Sequence, residues 1–257
     1  MHLRILGCGT STGVPQIGND WGDCDPADPR NRRSRVAILV EMGGRTILVD
    51  TGPDLREQLL AANTKAVDAV IWTHDHADHC HGLDDLRPFF HRHGPIQGYA
   101  RPDTLDSLRT RFAYAFAGGQ GYPPLIEGRP LPDLLAFGGG RLTVVDQPHG
   151  RITSAGLVFE ADGAKLVYAT DLSMMTGDMR GAYEGADLLV IDCLRRRPHP
   201  THPNLEQVLK WAGELGAART LLTHMDKSMD YAKLCAELPP SVRPAHDGLE
   251  VTLGDVA

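Results

Sequence analysis

Thr73-His74-Asp75-His76-Ala77-Asp78-His79 follows directly on the apolar run Ala69-Val70-Ile71-Trp72, and the two together decide how the chain reads. Four consecutive apolar residues that include Val and Ile form a buried strand. The stretch beyond it sets three imidazoles and a carboxylate within six residues at the strand's end. These are the ligand types that hold zinc, manganese or iron when one coordination position must stay open to water. A strand end is a rigid place from which to aim them. The spacing H-x-H-x-D-H is far more specific than a lone histidine pair, and a polar loop with fortuitous histidines is the poorer account.

The rest of the composition suits an enzyme. The chain has 257 residues, 42% of them hydrophobic, enough to fill a core. Its 28 glycines and 18 prolines predict shaped turns rather than a helical bundle. The N-terminal Met1-His2-Leu3-Arg4-Ile5-Leu6 is too short an apolar stretch for a signal peptide. No run approaches the roughly 18 apolar residues of a membrane span, so no membrane partner is expected. Five scattered cysteines without a C-x-x-C pattern predict free thiols and a cytoplasmic location. A formal charge of −7 argues against an extended nucleic-acid partner. The basic runs Arg30-Asn31-Arg32-Arg33-Ser34-Arg35 and Arg195-Arg196-Arg197 read mostly as solvated surface.

Strands are expected over 3–6, 36–41, 46–50, 69–72, 142–145, 157–160, 165–169, 188–192, 219–223 and 249–253. Helices are expected over 53–62, from 77 until Pro88 stops it, around 104–112, from a cap at Asn204, and over 231–237. The Gly- and Pro-rich stretch 94–140 otherwise reads as long loops. With no repeat or linker, residues 1–257 read as one domain.

Three more ligand-type residues stand where strands end. His149 follows the 142–145 strand across a short turn, Asp171 follows 165–169, and His224 follows 219–223. Each alone is an ordinary turn former; with the first motif they make seven candidate ligands. Gly9-Thr10-Ser11-Thr12-Gly13 matches the nucleophile elbow of serine hydrolases, but Val14-Pro15 is a poor helix start, so it reads as a backbone loop lining the site. Asp75 should point away from the ligands beside it. His81, His91, His93 and His199 read as surface or helix residues, and His246 as structural.

At this point the sequence resembles the metallo-β-lactamase superfamily over essentially its whole length. The resemblance implies an α/β (α+β) fold, a four-layer αββα sandwich with two divalent metal ions, Zn2+ or Mn2+, at one edge. It implies that His74, His76 and His149 hold one ion, that Asp78, His79 and His224 hold the second, and that Asp171 bridges them. Asp50, in Leu48-Val49-Asp50-Thr51-Gly52, would orient the ligands. A bridging carboxylate rather than a cysteine favours phosphodiester chemistry over lactam cleavage. Within the superfamily, the chain is most similar to the phosphodiesterases of carbon–phosphorus lyase operons, which open cyclic ribose phosphates. The likeness lies in Leu6 to Pro15 with Trp21-Gly22, in Cys193 to Leu205, and in Asp247-Gly248-Leu249-Glu250-Val251. It implies that His202 is a catalytic histidine. One departure stands out. Those relatives carry a cysteine cluster and a later histidine around a separate structural zinc, where this chain has only Cys24 and Lys227.

The expected activity is hydrolysis of a small phosphodiester, a cyclic nucleotide-like or ribose phosphate, by a hydroxide bridging two metals about 3.5–4 Å apart. Asp78 or Asp171 would take the residual proton. His202 would protonate the leaving alkoxide or position the phosphate, an effect on the order of 10²–10⁴ in rate. The alternatives are a tRNA 3′-processing endonuclease, which should carry an extended basic arm, a lactonase or thioesterase of the same fold, and a non-catalytic metal-binding protein. A homodimer is compatible with the sequence.

Overall fold

The computed structural model describes residues 1–119 and 121–254. Its core is two seven-stranded sheets laid face to face. In chain order the strands are β1 (His2–Gly7), β2 (Ala37–Met42), β3 (Arg45–Val49), β4 (Ala69–Trp72), β5 (Ile96–Ala100), β6 (Ile126–Pro130), β7 (Leu134–Phe137), β8 (Gly140–His149), β9 (Ile152–Ala161), β10 (Ala164–Ala169), β11 (Leu188–Asp192), β12 (Thr220–Thr223), β13 (Val242–Pro244) and β14 (Glu250–Thr252). The first sheet runs β14-β1-β2-β3-β4-β5-β6 and the second β13-β12-β11-β10-β9-β8-β7. β1 to β3 pair antiparallel, as do β7 to β10; the remaining neighbours from β3 to β6 and from β10 to β13 are parallel.

The helices are α1 (Leu55–Ala61), α2 (Ala77–Cys80), α3 (Arg87–His93), α4 (Pro102–Arg111), α5 (Ala113–Ala117), α6 (Gly177–Tyr183), α7 (Leu205–Leu215) and α8 (Tyr231–Glu237). Alternation along each strand explains the layering. Ile38, Val40, Ile47, Val49, Ala69 and Ile71 face the second sheet, which also packs Met179 and Tyr183 of α6 and Val208 and Trp211 of α7. Their neighbours Ala37, Leu39, Leu48, Val70 and Trp72 face outward against Leu55, Leu59, Phe89, Leu105, Leu108 and Ala115. Strands buried on both faces read as unbroken apolar runs, and the result is the αββα sandwich. Among the described residues no helix is long and apolar enough to cross a membrane. All five cysteines are unpaired thiols, four of them buried.

Three expectations require correction. The 94–140 stretch is not long loops with one helix: it holds β5, β6, β7, α4 and α5, with Gln120 outside the described residues. Two of its glycines, Gly98 and Gly128, mark close approach rather than turns. A Cβ on Gly98 would lie 2.5 Å from Ile126 and 2.7 Å from the Trp72 ring, and one on Gly128 would lie 2.9 Å from the Phe116 ring. Pro88 does not stop a helix; it sits in the first turn of α3, where the missing N–H has no intrahelical partner to lose. His149 does not follow a turn either, because β8 runs ten residues to end on it, paired with Ile152. Pro148 is tolerated there because β7 flanks β8 only from Gly140 to Thr143, leaving an unpaired side.

Candidate metal centre

Strand ends from both sheets deliver the site to one edge. Asp50 follows β3, residues 73–79 follow β4, His149 ends β8, Asp171 follows β10, Asp192 ends β11 and His224 follows β12. Asp50, Asp171 and His224 all take left-handed backbone, with φ of 64°, 56° and 57°. Non-glycine residues in that region are uncommon and cost of order 1–3 kcal/mol each, which the packed surroundings must offset. The abrupt turn aims each side chain across the sheet edge rather than along the strand.

All seven predicted ligands meet there. Asp171 stands at the centre. Its Oδ1 lies 3.8 Å from His74 Nε2, 3.5 Å from His149 Nε2 and 3.6 Å from His224 Nε2, and its Oδ2 lies 3.2 Å from His79 Nε2. His149 Nε2 is 3.3 Å from His76 Nδ1. Asp78 Oδ2 is 3.5 Å from His79 Nε2 and 3.6 Å from His224 Nε2. The donor atoms of His74, His76, His149 and Asp171 lie within 4.8 Å of one another, as do those of Asp78, His79 and His224. A tetrahedron of ligands about 2.0–2.1 Å from a central ion has edges of roughly 3.4 Å, the separation found here. His74, His79 and His224 also leave buried Nε2 atoms with no hydrogen-bond partner, an arrangement that in a protein interior calls for a ligand. The donor set therefore fits metal ions. His76, exposed at the rim, marks the open side.

The electrostatics agree. Burial by itself would raise Asp78, but His79 and His224 hold its carboxyl well below the usual carboxylate range. Asp171 is likewise driven down against its burial by His224, His79 and His74. Burial would lower His224, yet Asp171, Asp78 and Asp192 push it up to about 9. His79 is raised against burial by Asp171, Asp50 and Asp78. His74 moves the other way, lowered by burial and by the charge of His79. The carboxylates thus favour positive charge at His79 and His224.

The surrounding shell fixes ring orientation. His79 Nδ1 donates to Asp50 Oδ2 at 2.8 Å, and Asp50 also accepts the Thr73 N–H at 2.8 Å and its hydroxyl at 2.9 Å. The Thr73 hydroxyl reaches His74 Nδ1 at 3.1 Å, and His149 Nδ1 donates to the Thr201 carbonyl at 3.1 Å. The Thr170 hydroxyl donates to Asp171 Oδ2 at 2.7 Å.

His202 stacks on His224, with ring centroids 4.8 Å apart and planes at 11°. Its Nδ1 donates to Asp192 Oδ2 at 2.7 Å and lies 4.0 Å from Asp171 Oδ1. The nitrogen nearest the cluster is thus committed to Asp192, leaving Nε2 free. His202 nonetheless stays within reach of the cluster, with donor atoms of Asp171, His202 and His224 within 4.8 Å of one another. Asp192 escaped sequence reasoning because a strand-end Asp is also a common turn former; its place at the end of the strand next to β10, which leads to Asp171, was the available signal. His199, expected on the surface, lies with its ring 5.2 Å from that of His202. Its position follows from the loop, which Arg195 shapes by donating to the carbonyls of Arg197 and Pro198 at 3.2 and 2.8 Å. Arg196 pairs with Glu237.

The glycine loop forms no nucleophile elbow, since no helix follows Ser11. It runs beside the segment after His224: Thr10 N–H donates to the Met225 carbonyl at 3.2 Å and Met225 N–H to the Cys8 carbonyl at 3.0 Å. Asp247 secures that loop by accepting from the backbone N–H of Cys8 and of Ser34 at 3.1 and 2.7 Å. Where the relatives' structural zinc would fall, no donor cluster exists among the described residues. The buried Arg33 guanidinium closes that region, donating to the Met229 and Asp226 carbonyls at 2.6 and 3.3 Å, with Cys24 Sγ 3.8 Å away. Asp75 points away from the cluster, and Tyr122 stands 72% exposed on its loop. His81 packs edge-on against Phe112, and His246 packs against Tyr231.

Comparison with known proteins agrees with this geometry. A family model described as a β-lactamase superfamily domain matches residues 45–225. The chain is 34% identical over 265 residues to an octanoyltransferase of Porphyromonas gingivalis, covering 99% of this chain but 52% of that protein, so it spans about half of that relative's length. It is 27% identical over 227 residues to coenzyme PQQ synthesis protein B of Methylorubrum extorquens, covering 75% of this chain and 72% of that one. A diphosphatase from the PhnP family superposes with TM-score 0.89 and 34% identity, over 97% of this chain and 96% of that one. The short form of human tRNase Z shares the fold, with TM-score 0.73 and 19% identity over 98% of this chain and 99% of that one. With the matched domain spanning most of the chain and a His/Asp cluster at the sandwich edge, the chain belongs to the metallo-β-lactamase superfamily of hydrolases.

Proposed function

We propose that this hydrolase cleaves a small phosphodiester, using two divalent ions held by His74, His76 and His149 on one side, Asp78, His79 and His224 on the other, with Asp171 between. Bound there, Zn2+ or Mn2+ would supply a hydroxide nucleophile near neutral pH and offset charge on the phosphoryl oxygens. The remaining work falls to the chain. Asp78 and Asp171, both held ionised, keep the site anionic enough to retain cations. The single observation that carries the reading is the Asp192–His202 pair, which fixes one imidazole nitrogen and leaves Nε2 free beside the cluster. A histidine so held can protonate a leaving alkoxide, the step a phosphodiester demands and an activated thioester does not. A small substrate is favoured over an extended nucleic acid by the charge of −7 and by the commitment of Arg195 and Arg196 to intrachain contacts.

The relative described as a diphosphatase, at 34% identity, favours a second reading in which the scissile bond is a phosphoanhydride. A phosphodiester carries two ester groups on one phosphorus and a phosphoanhydride bridges two phosphorus atoms, but either is cleaved by in-line attack on one phosphorus.

The test is hydrolysis by metal-stripped chain reloaded with Mn2+ or Zn2+. Substrates are bis(p-nitrophenyl) phosphate, a cyclic ribose phosphate, a nucleoside diphosphate ester, a lactone, a thioester and a tRNA precursor. Metal-dependent cleavage of a phosphoryl substrate, lost in Asp78→Ala and reduced in His202→Ala, is expected. Turnover confined to the lactone or thioester would overturn the phosphoryl assignment.

A further inference from the structure

The ligand loop is gripped from outside the metal centre. His74, His79 and His149 each have a ring nitrogen fixed by a protein group, namely Thr73, Asp50 and the Thr201 carbonyl. The His224 ring also lacks one, but it is buried and stacked on His202. The His76 ring has none either: among the described residues its only hydrogen-bond neighbour is another candidate ligand, His149. Exposed at the rim, His76 depends for its aim on the backbone that carries it. That backbone is seized at Asp75, one residue earlier. Asp75 Oδ2 accepts the Ser107 hydroxyl at 2.6 Å and Arg111 Nη2 at 2.8 Å. Arg111 Nη1 donates to the Asp75 carbonyl, which also receives the Cys80 thiol at 3.5 Å. Ser107 and Arg111 are four residues apart on α4 and so share one face of that helix.

We propose that Arg111 and Ser107 are positioning residues for the metal centre, which hold the peptide between His74 and His76 through Asp75. One planar guanidinium fixes both a side chain and a carbonyl of the same residue, and so sets the rotation of the peptide that leads to His76. The contact is half-exposed, with the Arg111 side chain 42% accessible, so it contributes little to global stability. Its effect is geometric: the helix passes its rigidity to a ligand whose ring has no other protein anchor and whose backbone is otherwise held only by the His79 N–H on its carbonyl, at 3.0 Å.

The inference rests on the two-metal reading, and the test separates them. Metal-stripped wild type, Arg111→Met, Arg111→Lys, Ser107→Ala, Asp75→Ala and the Asp75→Ala/Arg111→Met double variant are titrated with Zn2+ against a chromophoric chelator. Thermal melting of each metal-free protein is recorded alongside. Arg111→Met and Asp75→Ala are expected to weaken one of two ions by about 10–100-fold while metal-free melting stays near wild type. Ser107→Ala, which removes a single donor, should weaken it less. Arg111→Lys should fall between wild type and Arg111→Met, because an ammonium cannot span both atoms. The double variant should bind somewhat more weakly than Asp75→Ala, which keeps the Arg111 bond to the residue-75 carbonyl, but its loss should be smaller than the sum of the two single losses. Wild-type affinity in Arg111→Met, or additive losses in the double variant, would overturn the positioning role. Failure of the wild type itself to bind metal would overturn the metal reading and this inference with it.

Discussion

Asp192 and His202 sit ten residues apart in the chain but share a 2.7 Å hydrogen bond at the mouth of the cluster. If that bond orients a proton donor, Asp192→Asn should lower kcat by about 10–100-fold while KM and metal content stay close to wild type. His202→Ala should lose on the order of 10²–10⁴ in kcat on the same phosphodiester, because the proton donor itself is gone. A general collapse of metal content in either variant would reassign the pair to metal retention. His224 permits a second prediction. Its pKa in the metal-free chain is pushed to about 9 from an ordinary 6.5, so the protonated ring stabilises the fold fully below about pH 6.5. That contribution is lost as pH rises to about 9, and integrates to roughly 3 kcal/mol for His224 alone. Urea unfolding of metal-free chain should therefore show a midpoint that falls across this window. Metal affinity should rise over the same range, since the ion must displace the proton. A flat midpoint from pH 6.5 to 9 would contradict the assignment.

The loop that presents His202 is closed at its base. Leu205 N–H donates to the Arg195 carbonyl at 3.0 Å and Leu194 N–H to the Pro203 carbonyl at 3.2 Å. Helix α7 begins there with a reciprocal cap: Asn204 Oδ1 accepts the Gln207 N–H, and Gln207 Oε1 the Asn204 N–H, both at 3.0 Å. Asn204→Ala should cost about 1 kcal/mol in urea unfolding and reduce turnover through a looser His202, with metal affinity unchanged. This cap was legible, since an Asn with Gln three residues on and an apolar stripe beyond is a local signature. The ten expected strands were legible for the same reason, as their apolar runs lie within single elements, whereas β5, β6, β7 and β13 were not. Gly98 and Gly128 were not, because what makes them strand residues is the Trp72 and Phe116 rings pressed against them from elsewhere in the chain. Pro88 misled in a related way: a proline in the first turn of one helix looks, in sequence, like the end of the preceding one.

Over the whole molecule, the site exists only where the two sheets meet along one edge, the first bringing residues 73–79 and the second His149, Asp171 and His224. Two ions bridging these strand ends should couple sheet to sheet, so chelation should lower the melting temperature and reloading restore it by an amount that grows with free metal. Equal melting temperatures with and without Zn2+ would contradict a bound centre. The sequence by itself determined the donor chemistry: which residues are imidazole or carboxylate, that each follows an apolar strand, and that the strands have two buried faces. Those facts are local, recorded in composition and in unbroken apolar runs. Only the tertiary structure decided that Asp192 turns to His202, that His199 lies beside it, and that Asp75 is held by α4 while its neighbours face the cluster. Each of those contacts depends on the direction a side chain takes and on which elements packing brings next to it, and neither quantity is written in the residues at that position.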